Sequence, residues 1–141
     1  MSAPITAAES IGGQTAPGLW TGRLVWFLRA MAALSMLKGL YHWAVVVGIG
    51  AGTTSAFESN STAWQAATIF FAVIDLVAAV GLWLAAVWGG VVWLTAAISM
   101  AALELFFPEI FGGGFLIMPA ELAMMSGYVA LSVMAARERP E

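Results

Sequence analysis

The fold the sequence predicts is an all-α membrane protein: four transmembrane helices in an antiparallel bundle, with both termini cytoplasmic. Three observations predict it. Of 141 residues, 62% are hydrophobic and only 9% are charged, where soluble domains run at about half and about a quarter. A chain this short cannot hide so much apolar surface in one water-facing core, so the surplus must face lipid. Four apolar runs come close to or exceed the ~20 residues that cross the hydrocarbon layer. Within them the apolar residues are continuous rather than alternating, which selects helices over a barrel.

Taken in order, residues 1–19, rich in Ala, Gly, Ser and Thr, read as a flexible N-terminal tail. They do not read as a secretory signal, because no basic residue precedes them and the following apolar run is too long. The transmembrane domain covers 20–136. Span one, about 24–50, is long enough to cross with tilt. A polar loop at 51–63 leads to span two, about 64–88. Trp88, Gly89 and Gly90 form a tight connection to span three, about 90–107, as suits two antiparallel neighbours. The breaker Pro108-Glu109-Ile110-Phe111-Gly112-Gly113-Gly114 precedes span four, about 115–136, and 137–141 form a short charged tail.

The basic residues set the orientation. Arg23 and Arg29 open span one and Arg137 and Arg139 follow span four, whereas the loops around Glu58 and Glu109 carry no Lys or Arg. The positive-inside bias therefore puts both termini in the cytoplasm and both acidic loops outside. Trp20, Trp26, Trp64, Trp83, Trp88 and Trp93 fall mostly near span ends, where indole rings anchor at the headgroups.

Ionisable groups inside the bilayer cost at least ~2.5–3.5 kcal/mol each on insertion scales, so each is a functional candidate. Here they are Lys38, His42, Asp75, Glu104 and Glu121. Lys38 and Asp75 lie at similar depth on consecutive spans and are expected to form a buried ion pair that holds the helices in register. His42 follows Lys38 by four residues and shares its face with Ser35 and Met31. His42, Glu104 and Glu121 fall in the outer half and form a candidate polar cluster for a proton or cation. Glu121 also suits the third position of a helix starting at Pro119, where an acid complements the dipole. Glu104 can snorkel outward. One His and two acids without a Glu-x-x-His or H-E-x-x-H pattern give no metal site.

Other patterns point to packing. Gly48-x-x-x-Gly52, extended back to Ala44, and Ala97-x-x-x-Ala101 are small-residue ridges that allow close helix approach. The glycine triplet at 112–114 lacks the Lys-Ser/Thr of a phosphate loop. One His and no cysteine assemble neither a Ser-His-Asp set nor thiolate chemistry, so no enzyme is expected. A net charge of −3 without a basic run removes the basis for nucleic-acid binding.

The segment AAVGLWLAAVWGGVVWL at 78–94, with Ile74-Asp75 and Gly39-Leu40-Tyr41-His42-Trp43, resembles small four-span inner-membrane proteins of alphaproteobacteria over about a third of the chain. That resemblance implies four helices in a bacterial inner (cytoplasmic) membrane and carries over no catalytic residue. Arg29 followed by Lys38-Gly39 is loosely similar to DoxX-type four-helix proteins, which implies association with quinol oxidase and other redox complexes.

The function expected from the sequence is a non-catalytic accessory or assembly subunit, in contact with lipid and with a larger membrane complex or further copies of itself. Small size, short loops and Ala, Gly and Trp surfaces motivate it. An oligomeric proton- or cation-coupled transporter or channel is the alternative, motivated by the embedded charges. A haem- or quinone-binding redox subunit is a third, resting on His42 with Tyr41 and Trp43; no cofactor is otherwise predicted.

Overall fold

A computed structural model describes residues 18–49, 57–111 and 117–138. Its elements are α1 (Leu19–Val46), α2 (Thr62–Trp83), α3 (Val87–Phe106), the short α4 (Pro108–Phe111) and α5 (Ile117–Arg137). Among the described residues the chain is all-helical, and α1, α2, α3 and α5 are each long and apolar enough to cross a membrane. The tail at 1–17, Gly52, the glycine triplet, Phe115 and Arg139 lie outside the described residues.

Helices are the right answer for such a chain because lipid offers no partner for a bare N–H or C=O. Three side-chain hydroxyls obey the same constraint by folding back onto their own helix. Thr68, Thr95 and Ser126 each donate to the carbonyl four residues earlier, at 2.8, 2.9 and 2.8 Å. Outside the helical ladder, Ser61 caps α2 by accepting from the Trp64 N–H at 3.3 Å, and the Gln65 amide closes the preceding turn onto the Asn60 carbonyl at 2.9 Å.

The core lies where α1, α2 and α3 meet, at Leu28, Ala32, Ala78, Leu82 and Trp93, with Met124, Met125 and Tyr128 of α5 packed against it. Many of the buried residues are alanines, which lets backbones approach closely. α2 is the central helix, with 44% of its apolar window buried, while α5 buries 6% and stands at the periphery. The outward faces carry large apolar side chains, among them Leu37, Val77, Val91, Ile98 and Val129, as lipid contact would require.

The α2–α3 connection differs from the expected Gly89-Gly90 turn. Both glycines lie inside α3, and the link is Leu84-Ala85-Ala86. The Ala86 N–H donates to the Gly81 carbonyl and the Ala85 N–H to the Leu82 carbonyl, both at 3.0 Å. This double bond closes a Schellman cap with Ala85, φ +51°, in its left-handed position. The glycines serve packing instead: a Cβ on Gly89 would strike the Gly81 backbone, and one on Gly90 would strike the Tyr128 hydroxyl.

Two further expectations shift for the same kind of reason. α1 starts at Leu19 and stops at Val46, so Gly48 is not on a helical ridge with Ala44. It sits in the following turn at φ +74°, and a Cβ there would meet open space. Close approach on α1 belongs to Gly39, where a Cβ would come within 2.9 Å of the Leu76 side chain and 3.2 Å of its backbone nitrogen. Trp93, expected near a headgroup, is buried in the core with its ring edge-on to Tyr128 at 5.8 Å.

Candidate functional site

The site is built from one residue on each of three helices, and each arrives through local packing. Gly39 lets α1 close onto Leu76 of α2. That contact sets the neighbouring residues, Lys38 and Asp75, side by side. The Lys38 ammonium lies 3.7 Å from Asp75 Oδ2. From α5, Glu121 Oε1 reaches to 3.8 Å from the same nitrogen. Lys38 also lies 5.4 Å from the centre of the Phe71 ring, a cation–π contact that lends it further support.

Neither contact is short enough to be a direct charged hydrogen bond, which runs at ~2.7–2.9 Å. A small cavity of about 40 Å³ opens between the groups, lined by Ser35, Lys38, Asp75, Trp93, Ala97 and Glu121 among others. Such a volume is water-sized. Asp75 Oδ2, Glu121 Oε2 and Glu104 Oε2 are buried and make no hydrogen bond among the described residues. Glu104 and Asp75 both lie within electrostatic range of Glu121. Two acids therefore face one cation, and a third, Glu104, lies within electrostatic range of Glu121. At 3.7 Å an ion pair is worth about 4 kcal/mol at an effective dielectric of ~20, enough to hold one carboxylate in place. It does not offset three.

The predicted polar cluster of His42, Glu104 and Glu121 is redrawn by this geometry. Glu121 belongs with Lys38 and Asp75. α5 begins two residues before Pro119, so Glu121 stands beyond the first three helical positions and turns inward. Glu104 does not snorkel; it is buried, on the side of α3 that also buries Ala97. Ala101 is half-buried on that side.

His42 stands apart: its ring stacks on Phe71 at 5.9 Å and meets the edge of Tyr41 at 5.7 Å. It faces a separate cavity of about 110 Å³ shared with Trp64, Thr68 and Met100. Its volume lies below the ~300–1,000 Å³ of cofactor-sized pockets. Among the described residues no group of three or more His, Asp or Glu side chains is arranged to hold a metal ion.

A second constellation was not legible beforehand. The Glu138 carboxylate accepts from the backbone N–H groups of Trp20 and Thr21 at 2.9 and 3.0 Å, and from the Thr21 hydroxyl at 3.2 Å. It caps the start of α1, where Gly18 has no side chain to do so. A Cβ on Gly18 would collide with that carboxylate. Those hydrogen bonds, the Trp20 N–H foremost, hold the Glu138 carboxyl below the usual glutamate range. The one sequence signal is an uncapped glycine start beside an acid just past the last helix.

Over residues 22–139 the chain matches a family described as a family of unknown function, DUF6163. No curated protein and no solved structure matches it.

Proposed function

The chain belongs to the DUF6163 family, a family of unknown function, and from the geometry of its interior we propose that it is a proton-binding subunit of a bacterial inner membrane. The single observation that carries this reading is the chamber around Lys38. There one cation faces Asp75 and Glu121 at 3.7 and 3.8 Å across a water-sized space, and Glu104, near Glu121, has its buried Oε2 without a hydrogen bond. A rigid lock would close to direct contact and leave no buried carboxyl oxygen without a partner. With every group ionised the four side chains would sum to a charge of −2, at a cost of several kcal/mol in low dielectric. Protons on the carboxyls remove that cost, and a water in the chamber lets them move between Asp75 and Glu121.

The supporting topology is an antiparallel arrangement with both termini on the cytoplasmic side. The Glu138 bridge to Trp20 and Thr21 puts the start of α1 beside the end of α5, and the three-residue turn at Leu84–Ala86 supports reversal between α2 and α3. The chain has no catalytic set and is not an enzyme in this reading. It works beside a larger complex or further copies of itself, a reading that its small size and short helix connections support.

A second reading keeps Lys38, Asp75 and Glu121 as a static pin in an accessory subunit; the small extramembrane loops favour it. Infrared difference spectroscopy of protein in lipid separates the two. Under the proton reading, a carboxylic C=O band titrates as pH is varied. It then changes in Asp75→Asn and in Glu121→Gln, while helix content holds. A spectrum with no titrating carboxyl band would leave the pin.

A further inference from the structure

On the opposite side of the α1–α2 contact from the chamber lies a large open groove. Its volume is about 580 Å³, and its walls are wholly apolar: Ala32, Ala33, Met36 and Leu37 of α1, and Ala79, Val80, Trp83 and Leu84 of α2. The spacing explains the shape. Residues 32, 33, 36 and 37, like 79, 80, 83 and 84, form one i, i+3, i+4 stripe on each helix. Alanines form the floor, and the exposed Leu37, Val80, Trp83 and Leu84 form the rims. Arg29 continues the α1 stripe one turn beyond Ala32 and Ala33. Its guanidinium sits 5.8 Å from the centre of the Trp83 ring, at the end of the groove where α2 stops.

Among the described residues no ion pair reaches Arg29, and its side chain is exposed. A guanidinium offers five N–H donors in a fork that fits phosphate oxygens. An arginine and an indole at the same level mark the headgroup layer. The groove thus has an oily trough about two helical turns long, closed at one end by a free cation beside a headgroup anchor. We propose that it holds one anionic phospholipid, with the phosphate on Arg29 and an acyl chain along Ala33, Leu37 and Val80.

Charge complementarity selects this occupant over a second copy of the chain. Among the described acids, Asp75, Glu104 and Glu121 are buried and Glu138 is engaged with α1. Glu58 and Glu109 lie before the start of α2 and after the end of α3, away from the end of α2 where Arg29 sits. Among the described residues, a symmetric copy would bring apolar surface to the trough and no anion to Arg29. The inference is independent of the proton chamber, which faces the other way.

The test is lipid retention. Full-length protein is reconstituted in vesicles of equimolar phosphatidylglycerol and phosphatidylcholine, extracted in mild detergent, and its bound lipid read by native mass spectrometry. The wild type is expected to keep phosphatidylglycerol over phosphatidylcholine by about fivefold, the preference one interfacial basic residue supplies. Arg29→Gln is expected to keep a lipid without preference. Ala33→Phe, which fills the trough from an exposed position, is expected to keep neither. Circular dichroism checks that both variants retain wild-type helix content. Equal retention of the two lipids by the wild type would overturn the proposal, as would a preference that survives Arg29→Gln. A lipid-free dimer that Ala33→Phe dissociates would assign the groove to a second copy instead.

Discussion

At the scale of single residues, charge is placed where the chain can use it twice. Lys38 serves two carboxylates from two helices, and Glu138 serves two amides of α1, the first of them 118 positions earlier in sequence. The Glu138 contact has a definite pH signature. Its folded carboxyl lies below the ordinary 4.5, chiefly because the Trp20 N–H stabilises the anion. A lowered folded value means that the stabilisation is complete above pH 4.5 and fades as pH falls through the folded value. The melting temperature of the wild type should therefore drop more steeply below that pH than that of Glu138→Ala, the two curves converging at the acid end. Hydrogen exchange at the Trp20 and Thr21 amides should be faster in Glu138→Ala at neutral pH. Equal exchange in the two proteins would show that water caps α1 equally well.

At the scale of elements, the α2–α3 turn sets the geometry of the central helix pair. Ala85 holds a left-handed conformation that glycine adopts without steric cost. Ala85→Gly should thus raise stability by about 0.5–1 kcal/mol, read as a higher unfolding midpoint in detergent. The neighbouring Gly89→Ala should act in the opposite sense. A Cβ there meets the backbone of Gly81, which cannot swing aside as a side chain can. The helices must separate, at about 1–3 kcal/mol, the usual cost of overpacking. A neutral Gly89→Ala would mean that the contact between α2 and α3 is looser than the structure shows.

At the scale of the whole molecule, the proposed topology is open to direct test. The chain has no cysteine, so single cysteines can be added without background. A membrane-impermeant maleimide applied to spheroplasts should label Glu58→Cys and spare Glu141→Cys until the membrane is permeabilised. Both reacting from one face would remove the four-span arrangement and the cytoplasmic placement of the ends. The cavity at Lys38 has polar side chains in its lining, whereas the groove between α1 and α2 is lined by apolar ones, so the two proposals can be tested by separate substitutions.

The sequence by itself determined that four helices are long and apolar enough to cross a bilayer and that Lys38, His42, Asp75, Glu104 and Glu121 ride inside them. Transfer from water to lipid is close to additive along the chain, so a window of residues suffices to read it. It also set Lys38 and Asp75 at one depth, since rise per residue is constant. Tertiary structure alone decided the rest. Whether Glu121 turns to Lys38 or to His42 depends on how α5 is rotated about its axis, and α5 is held by contacts with α1 and α3 that no local window contains. The same holds for Gly89, a turn residue by local preference and a packing residue once Gly81 lies against it. Glu138 reads as a tail charge until folding brings the uncapped start of α1 within reach. Depth is a local property of the chain; azimuth and partner choice are not.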